Sequence, residues 1–203
     1  SCAFFIVLTL LSKNCELKIK NVNVNHSRIG YIKILNKMGA KIKIKNVKKM
    51  YGEKQADIFV KSQKNLKKIN CPTSLNSNLI DEFLIIFLAA AKAKGVSSFT
   101  NLGELNKKES PRLKLGSKLL NQLGIKTKLT NDSIKIFGNP GIKQKKNIQI
   151  KNYFKDHRIF MTSVIAAYTF GGKWKIDDVN SYKSSFPSFL NIIKKLGYKF
   201  KLN

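Results

Sequence analysis

Four short strings in this sequence combine side chains that grip anions and move protons: Lys108-Glu109-Ser110-Pro111-Arg112, Asp156-His157-Arg158, Asp81-Glu82 and Lys183-Ser184-Ser185-Phe186-Pro187. Asn25-His26-Ser27-Arg28 is a fifth of the same kind. Each falls at the expected first turn of a helix, where free backbone N–H groups and the helix dipole favour an anion. Structural duties account for part of this. Ser110 reads as an N-cap with Pro111 at the first helical position, and Asp156 reads as the cap of another helix. Asp81-Glu82 can complement a helix dipole, Lys108-Glu109 can be a surface pair, and a lone histidine such as His157 is commonly structural. The arginines resist that explanation. Only three of the 39 basic residues are arginine (Arg28, Arg112 and Arg158), and all three lie in these strings. A planar fork has no substitute in lysine where a carboxylate or phosphate is held bidentately. The functional reading of Asp81-Glu82 is a general base for a substrate hydroxyl, and it requires neighbouring cations. No phosphate loop, Ser-His-Asp elbow or metal motif is present.

Positioning such residues requires a folded core, and 203 residues with 43% hydrophobic content supply one. The net charge of +28 raises nucleic acid, a membrane surface or an acidic small substrate as partners. Neither bidentate arginine patterns nor aromatics interleaved with basic residues on one face are seen, so no nucleic-acid partner is expected. Cys2, Cys15 and Cys71 are odd in number and lack C-x-x-C spacing, which points away from disulfides and zinc and toward a reducing cytoplasm. The apolar run Ala3 to Leu11 is too short to span a bilayer and lacks a basic leader, so it reads as a buried helix and no membrane partner is expected. The chain opens inside this run without methionine, and an upstream portion is therefore expected.

The elements repeat. Ile34 to Lys41, Leu119 to Lys126 and Ile192 to Lys199 share one pattern, a helix closed by Gly39, Gly124 or Gly197 and followed by alternating apolar and polar residues (Ile42 and Ile44, Thr127 and Leu129, Phe200 and Leu202). The glycines are 85 and 73 residues apart. Upstream of each lies an apolar helix (Ala3 to Leu11, Asp81 to Lys94, Asp156 to Phe170) and then a strand (Leu17 to Val22, Val96 to Asn101, Lys173 to Val179). Asn131-Asp132 predicts a hairpin onto Ile134 to Phe137. Residues 63–78 and 139–146 read as connections. The alternation predicts an α/β domain over residues 1–203, in three units of about 1–62, 63–138 and 139–203. A solenoid is the alternative, but a closed pseudo-threefold arrangement suits long units of mixed type better.

Taken together, these strings resemble the 3-phosphoshikimate 1-carboxyvinyltransferases. Lys108 to Leu113 is similar to the family's K-E-S/T-D-R-L and Asp156 to Met161 to its D-H-R-I-x-M. Ser1-Cys2-Ala3-Phe4-Phe5 stands for S-S-A-A-F-F, Asn25 to Gly30 for N-x-x-R-x-G, and Lys183 to Phe189 for K-T-S-Y/F-P-x-F, with Leu79-Ile80-Asp81-Glu82 also matching. Order and spacing agree along the whole chain. Pro111, Asn106 and Lys155 depart from the family's aspartate, arginine and glycine.

The resemblance implies one half of a two-domain enolpyruvyl transferase, each half a pseudo-threefold domain of βαβαββ units with the active site in the cleft between them. It implies an absent amino-terminal domain, a monomer when complete, a cytoplasmic location and no cofactor. It implies phosphoenolpyruvate held by Arg112, Arg158 and Lys183, and shikimate 3-phosphate bound beside Asp81 and Lys108. Asp81, Glu109 and His157 are implied as the catalytic groups. Two alternatives are a transferase acting on UDP-N-acetylglucosamine and a non-catalytic basic binding protein that keeps the fold. The Lys-Glu-Ser and Asp-His-Arg strings argue against the first.

Overall fold

The computed structural model describes residues 2–202; Ser1, which opens the S-C-A-F-F match, and Asn203 lie outside the described residues. In chain order the elements begin with α1 (Cys2–Leu11), β1 (Glu16–Asn23), α2 (Gly30–Lys37), β2 (Lys43–Met50) and β3 (Glu53–Lys61). Next come α3 (Asn76–Leu79), α4 (Phe83–Ala91), β4 (Gly95–Phe99), α5 (Arg112–Gln122), β5 (Thr127–Leu129) and β6 (Ile134–Gly138). The last are β7 (Asn147–Ile150), α6 (His157–Phe170), β8 (Lys173–Ile176) and α7 (Phe189–Lys195).

A helix that is apolar all round must be buried on all sides. α4 is Phe-Leu-Ile-Ile-Phe-Leu-Ala-Ala-Ala and every one of its residues is buried. α1 and most of α6 behave likewise, and each of these three helices packs against the other two. They form the axis of a single hydrophobic core. Around them stand antiparallel sheets of order β1-β3-β2 and β4-β6-β5, and the parallel pair β7-β8. The fold is the mixed α/β architecture expected from the alternation. Gly39, Gly124 and Gly197 all take positive φ, and the next N–H in each case reaches the carbonyl five residues back (Ala40 to Leu35, Ile125 to Leu120, Tyr198 to Ile193). The same glycine-dependent cap thus ends α2, α5 and α7.

Three expectations need correction. Residues 63–78 are not merely a connection: Lys67 and Asn70 bridge in parallel to Lys94 and Ser98, placing this segment beside β4 as β7 lies beside β8. Composition alone misses it because the segment gains extended form from its neighbour's hydrogen bonds. α4 starts at Phe83 rather than Asp81, leaving Asp81 and Glu82 in the turn after α3. Phe200 and Leu202 form no strand. Their counterparts β2 and β5 are held by β3 and β6, and no described strand offers residues 199–202 a comparable ladder.

Asp57 on β3 pins both neighbouring strands where they bulge. Its carboxylate accepts from the Asn21 N–H at 3.2 Å and from Asn46 Nδ2 at 2.9 Å, and Lys18 Nζ lies 3.1 Å away. Asn21 and Asn46 are the positive-φ residues of the two register shifts. The Asn46 hydrogen bond, then that of Lys18, lowers the Asp57 pKa to about 2. A depressed folded-state value stabilises above the unfolded carboxylate pKa of roughly 4 and loses that contribution as pH falls toward the folded value. In Asp57→Asn, urea midpoints should therefore decline less between roughly pH 4 and pH 2 than in the parent chain. Parallel declines would remove this role.

Candidate active site

α6 begins where Asp156 leaves the extended region, and its Oδ1 accepts from the N–H groups of Arg158 at 2.8 Å and Ile159 at 3.3 Å. This is the N-cap expected from the sequence. Its other oxygen does something local pattern does not disclose. Oδ2 accepts from Ser110 Oγ at 2.7 Å and from Arg112 Nε at 2.9 Å, tying the start of α5 to the start of α6. Ser110 is accordingly not a helix cap, and Pro111 precedes α5 instead of occupying its first turn. The physical reason is that a carboxylate with a fully buried side chain needs donors, and the Ser110 hydroxyl supplies one. Burial raises the Asp156 pKa, but the Ser110 hydroxyl, the Arg112 guanidinium and the Arg158 amide outweigh it and hold the group below its ordinary value.

Arg112 is 1% exposed, so its charge must be met inside the protein. Besides Asp156, its Nη2 donates to Glu109 Oε2 at 2.5 Å and its Nη1 lies 3.5 Å from Asp81 Oδ1. Arg158 holds the same Asp81 from the other side, with Nη2 3.3 Å from Oδ2 and Nη1 donating to the Asp81 carbonyl at 2.5 Å. Glu82 Oε1 is 3.8 Å from Arg158 Nη1. Two arginine forks from α5 and α6 therefore enclose carboxylates, while Asp81 and Glu109 keep exposed edges of 41% and 59%. Burial raises the Glu82 pKa. Burial, and then the neighbouring Arg158, lowers that of His157, which favours the neutral imidazole.

The remaining named residues stand around this network. His157 is the first residue of α6. Lys108 is exposed and extended just before Glu109. Lys183 is exposed in a 3-10 turn whose neighbouring residue Tyr182 stacks on Phe160 of α6 at 5.5 Å. Neither lysine forms an ion pair among the described residues. Arg28 is exposed in the 3-10 turn His26–Arg28 before α2. A Cβ at Gly30 would stand 3.0 Å from the Asn78 carbonyl, so glycine lets α2 start against α3. Thus Asp81, Glu109, Arg112 and Arg158 meet directly. Asp156 and Ser110, which hold them, were legible only as caps because they are 46 residues apart.

Comparison with known proteins agrees with the strings. The sequence model of the EPSP synthase (3-phosphoshikimate 1-carboxyvinyltransferase) family matches residues 1–193. The chain is 39% identical over 202 residues to the 3-phosphoshikimate 1-carboxyvinyltransferase of Ruthia magnifica subsp. Calyptogena magnifica, covering 100% of this chain and 46% of the relative. It is 38% identical over 197 residues to that of Thermodesulfovibrio yellowstonii, covering 97% and 45%. It superposes on EPSP synthase from Acinetobacter baumannii with a TM-score of 0.88 and 32% identity, over 96% of this chain and 44% of that one. The enolpyruvyl transferase NikO from Streptomyces tendae shares the fold, with a TM-score of 0.74 at 15% identity over 97% and 42%. The chain spans about half the length of the curated relatives it matches. By its motifs, its fold and these matches, the chain belongs to the EPSP synthase family.

Proposed function

We propose that this chain is the carboxy-terminal domain, in three units over residues 1–203, of an enzyme that transfers the enolpyruvyl group of phosphoenolpyruvate to the 5-hydroxyl of shikimate 3-phosphate. The observation that carries this reading is the pair of arginines, Arg112 and Arg158, whose forks already hold carboxylates at 2.5–3.5 Å. A substrate carboxylate or phosphate has the shape to take those places, and Lys183 adds an exposed cation. Asp81 accepts the proton of the attacking hydroxyl, beside Lys108. Glu109 delivers a proton to the methylene carbon as the new C–O bond forms, giving a tetrahedral intermediate. Glu109, now a carboxylate, takes a proton back from the same carbon with His157 supporting it, and the C–O bond to phosphate breaks, the phosphate leaving with the proton that Asp81 accepted. Fixed guanidinium groups and helix starts stabilise the developing negative charge without reorganising. Proton transfer and charge stabilisation suffice, and no cofactor is needed. The amino-terminal domain supplies the rest of the cleft, and the complete enzyme is a cytoplasmic monomer.

The test is phosphate release from phosphoenolpyruvate and shikimate 3-phosphate by a polypeptide joining this chain to its complementary domain. Release that requires both substrates supports the reading, and none from a well-folded product overturns it. The chain alone should turn over negligibly. UDP-N-acetylglucosamine in place of shikimate 3-phosphate should give no release. Arg158→Lys in the two-domain polypeptide should lower kcat/KM by roughly 10- to 100-fold despite the kept charge, the equivalent of one lost charged hydrogen bond of about 1.5–3 kcal/mol. An unchanged kcat/KM would remove the fork from the mechanism.

A further inference from the structure

The three buried helices end together at a pole opposite the candidate site, about 20 Å away along the length of α6 at 1.5 Å per residue. At this pole a carbonyl near each helix end is taken by the backbone of a segment crossing it. Gln63 N–H donates to Leu10 at 2.9 Å, Asn139 N–H to Ala91 at 2.8 Å and Gln144 N–H to Phe170 at 2.7 Å. The helix ends and crossing segments border an open pocket of about 690 Å³, within the size range of small-molecule sites. Lys13, Lys64, Lys92 and Lys143 line it, and no Asp or Glu does.

Lysines near helix C-termini are ordinarily complements to the dipole, which accounts for Lys13 and Lys92. That reason does not reach Lys64 and Lys143, which sit on the crossing segments. None of the four has an acidic partner among the described residues. Lys92 is half-buried at the floor, with Nζ donating to the Ile142 carbonyl at 2.6 Å and lying 4.5 Å from the centre of the Phe170 ring. Burial first, and then the like charge of Lys143, lowers its pKa. One wall carries Tyr168 and Tyr198, with ring centres 4.4 Å apart.

We propose that this lysine-lined pocket binds an oligophosphate, either free or as the di- or triphosphate arm of a nucleotide. Four ammonium groups without a carboxylate suit a ligand that carries several charges on a short chain, and lysine meets phosphate well as a point charge. Lys92 is partly committed to the Ile142 carbonyl, whereas Lys13, Lys64 and Lys143 form no ion pair among the described residues and can turn to the ligand.

Calorimetric titration of the chain with tripolyphosphate, and separately with ATP, at roughly 150 mM salt tests this. Saturable one-to-one binding is expected, weakened at least about tenfold in Lys64→Glu/Lys143→Glu and unchanged in Lys45→Glu/Lys48→Glu, which alters net charge equally on β2. The milder Lys64→Gln and Lys143→Gln variants give the same ordering should the double reversal fail to fold. Equal affinities would place recognition in the phosphates alone, whereas tighter ATP binding would add the base against the tyrosine wall. Equal loss in the β2 variant would reveal diffuse attraction by net charge and overturn the proposal. Absence of saturable heat from both ligands would do the same.

Discussion

Asp156→Ala should destabilise the chain by about 3–5 kcal/mol, because it strips a buried arginine of its buried counter-charge. Arg112 is 1% exposed, and the Asp156 side chain is fully buried with four donors on it. The same change removes the α6 cap, ordinarily worth about 1 kcal/mol, and the two losses share one side chain and do not add independently. At roughly 2–4 °C per kcal/mol for a chain of this size, the melting temperature should fall by about 6–20 °C. Ser110→Ala should cost only about 1 kcal/mol, since the carboxylate keeps its charged partner. The Asp156 pKa is lowered on folding, so its contribution is present above the unfolded value near pH 4 and fades as pH falls through the folded one. The deficit measured by urea denaturation should thus be full at neutral pH and shrink in acid. A neutral-pH deficit under about 1 kcal/mol would mean that Arg112 is satisfied without Asp156, and the assignment of Asp156 as the hub would fail.

In the two-domain polypeptide, Glu109→Gln should lower kcat by about 10²- to 10⁴-fold, the span attributed to a positioned general acid or base. The substitution preserves shape and leaves an amide oxygen that can still accept from Arg112 Nη2, so KM values should move only a few-fold. Glu109 is 59% exposed, and the stability of the variant should stay within about 0.5 kcal/mol of the parent. That separation matters, because the side chain also answers the charge of Arg112. A fall in stability with kcat preserved would assign Glu109 to holding Arg112 and take proton transfer away from it. A large fall in kcat with stability preserved is what the proposed mechanism requires.

The amino-acid sequence by itself determined the short-range features of this protein. The glycines that end α2, α5 and α7, the apolar bodies of α1, α4 and α6, and the Asp156 cap are set by interactions spanning a few residues. Local pattern therefore reveals them, and the same strings identify the family. What only the tertiary structure decided concerns groups far apart in the chain. Ser110 turns from a cap into a donor because a carboxylate 46 residues away is buried beside it. Asp81, read as opening a helix, sits in a turn clasped by arginines 31 and 77 residues downstream. Residues 66–71 become extended only through β4, and residues 199–202 stay irregular despite their alternation. A strand is stabilised by its neighbour's ladder and a buried charge by its counter-charge, and both partners are supplied by the packing of distant segments rather than by local sequence.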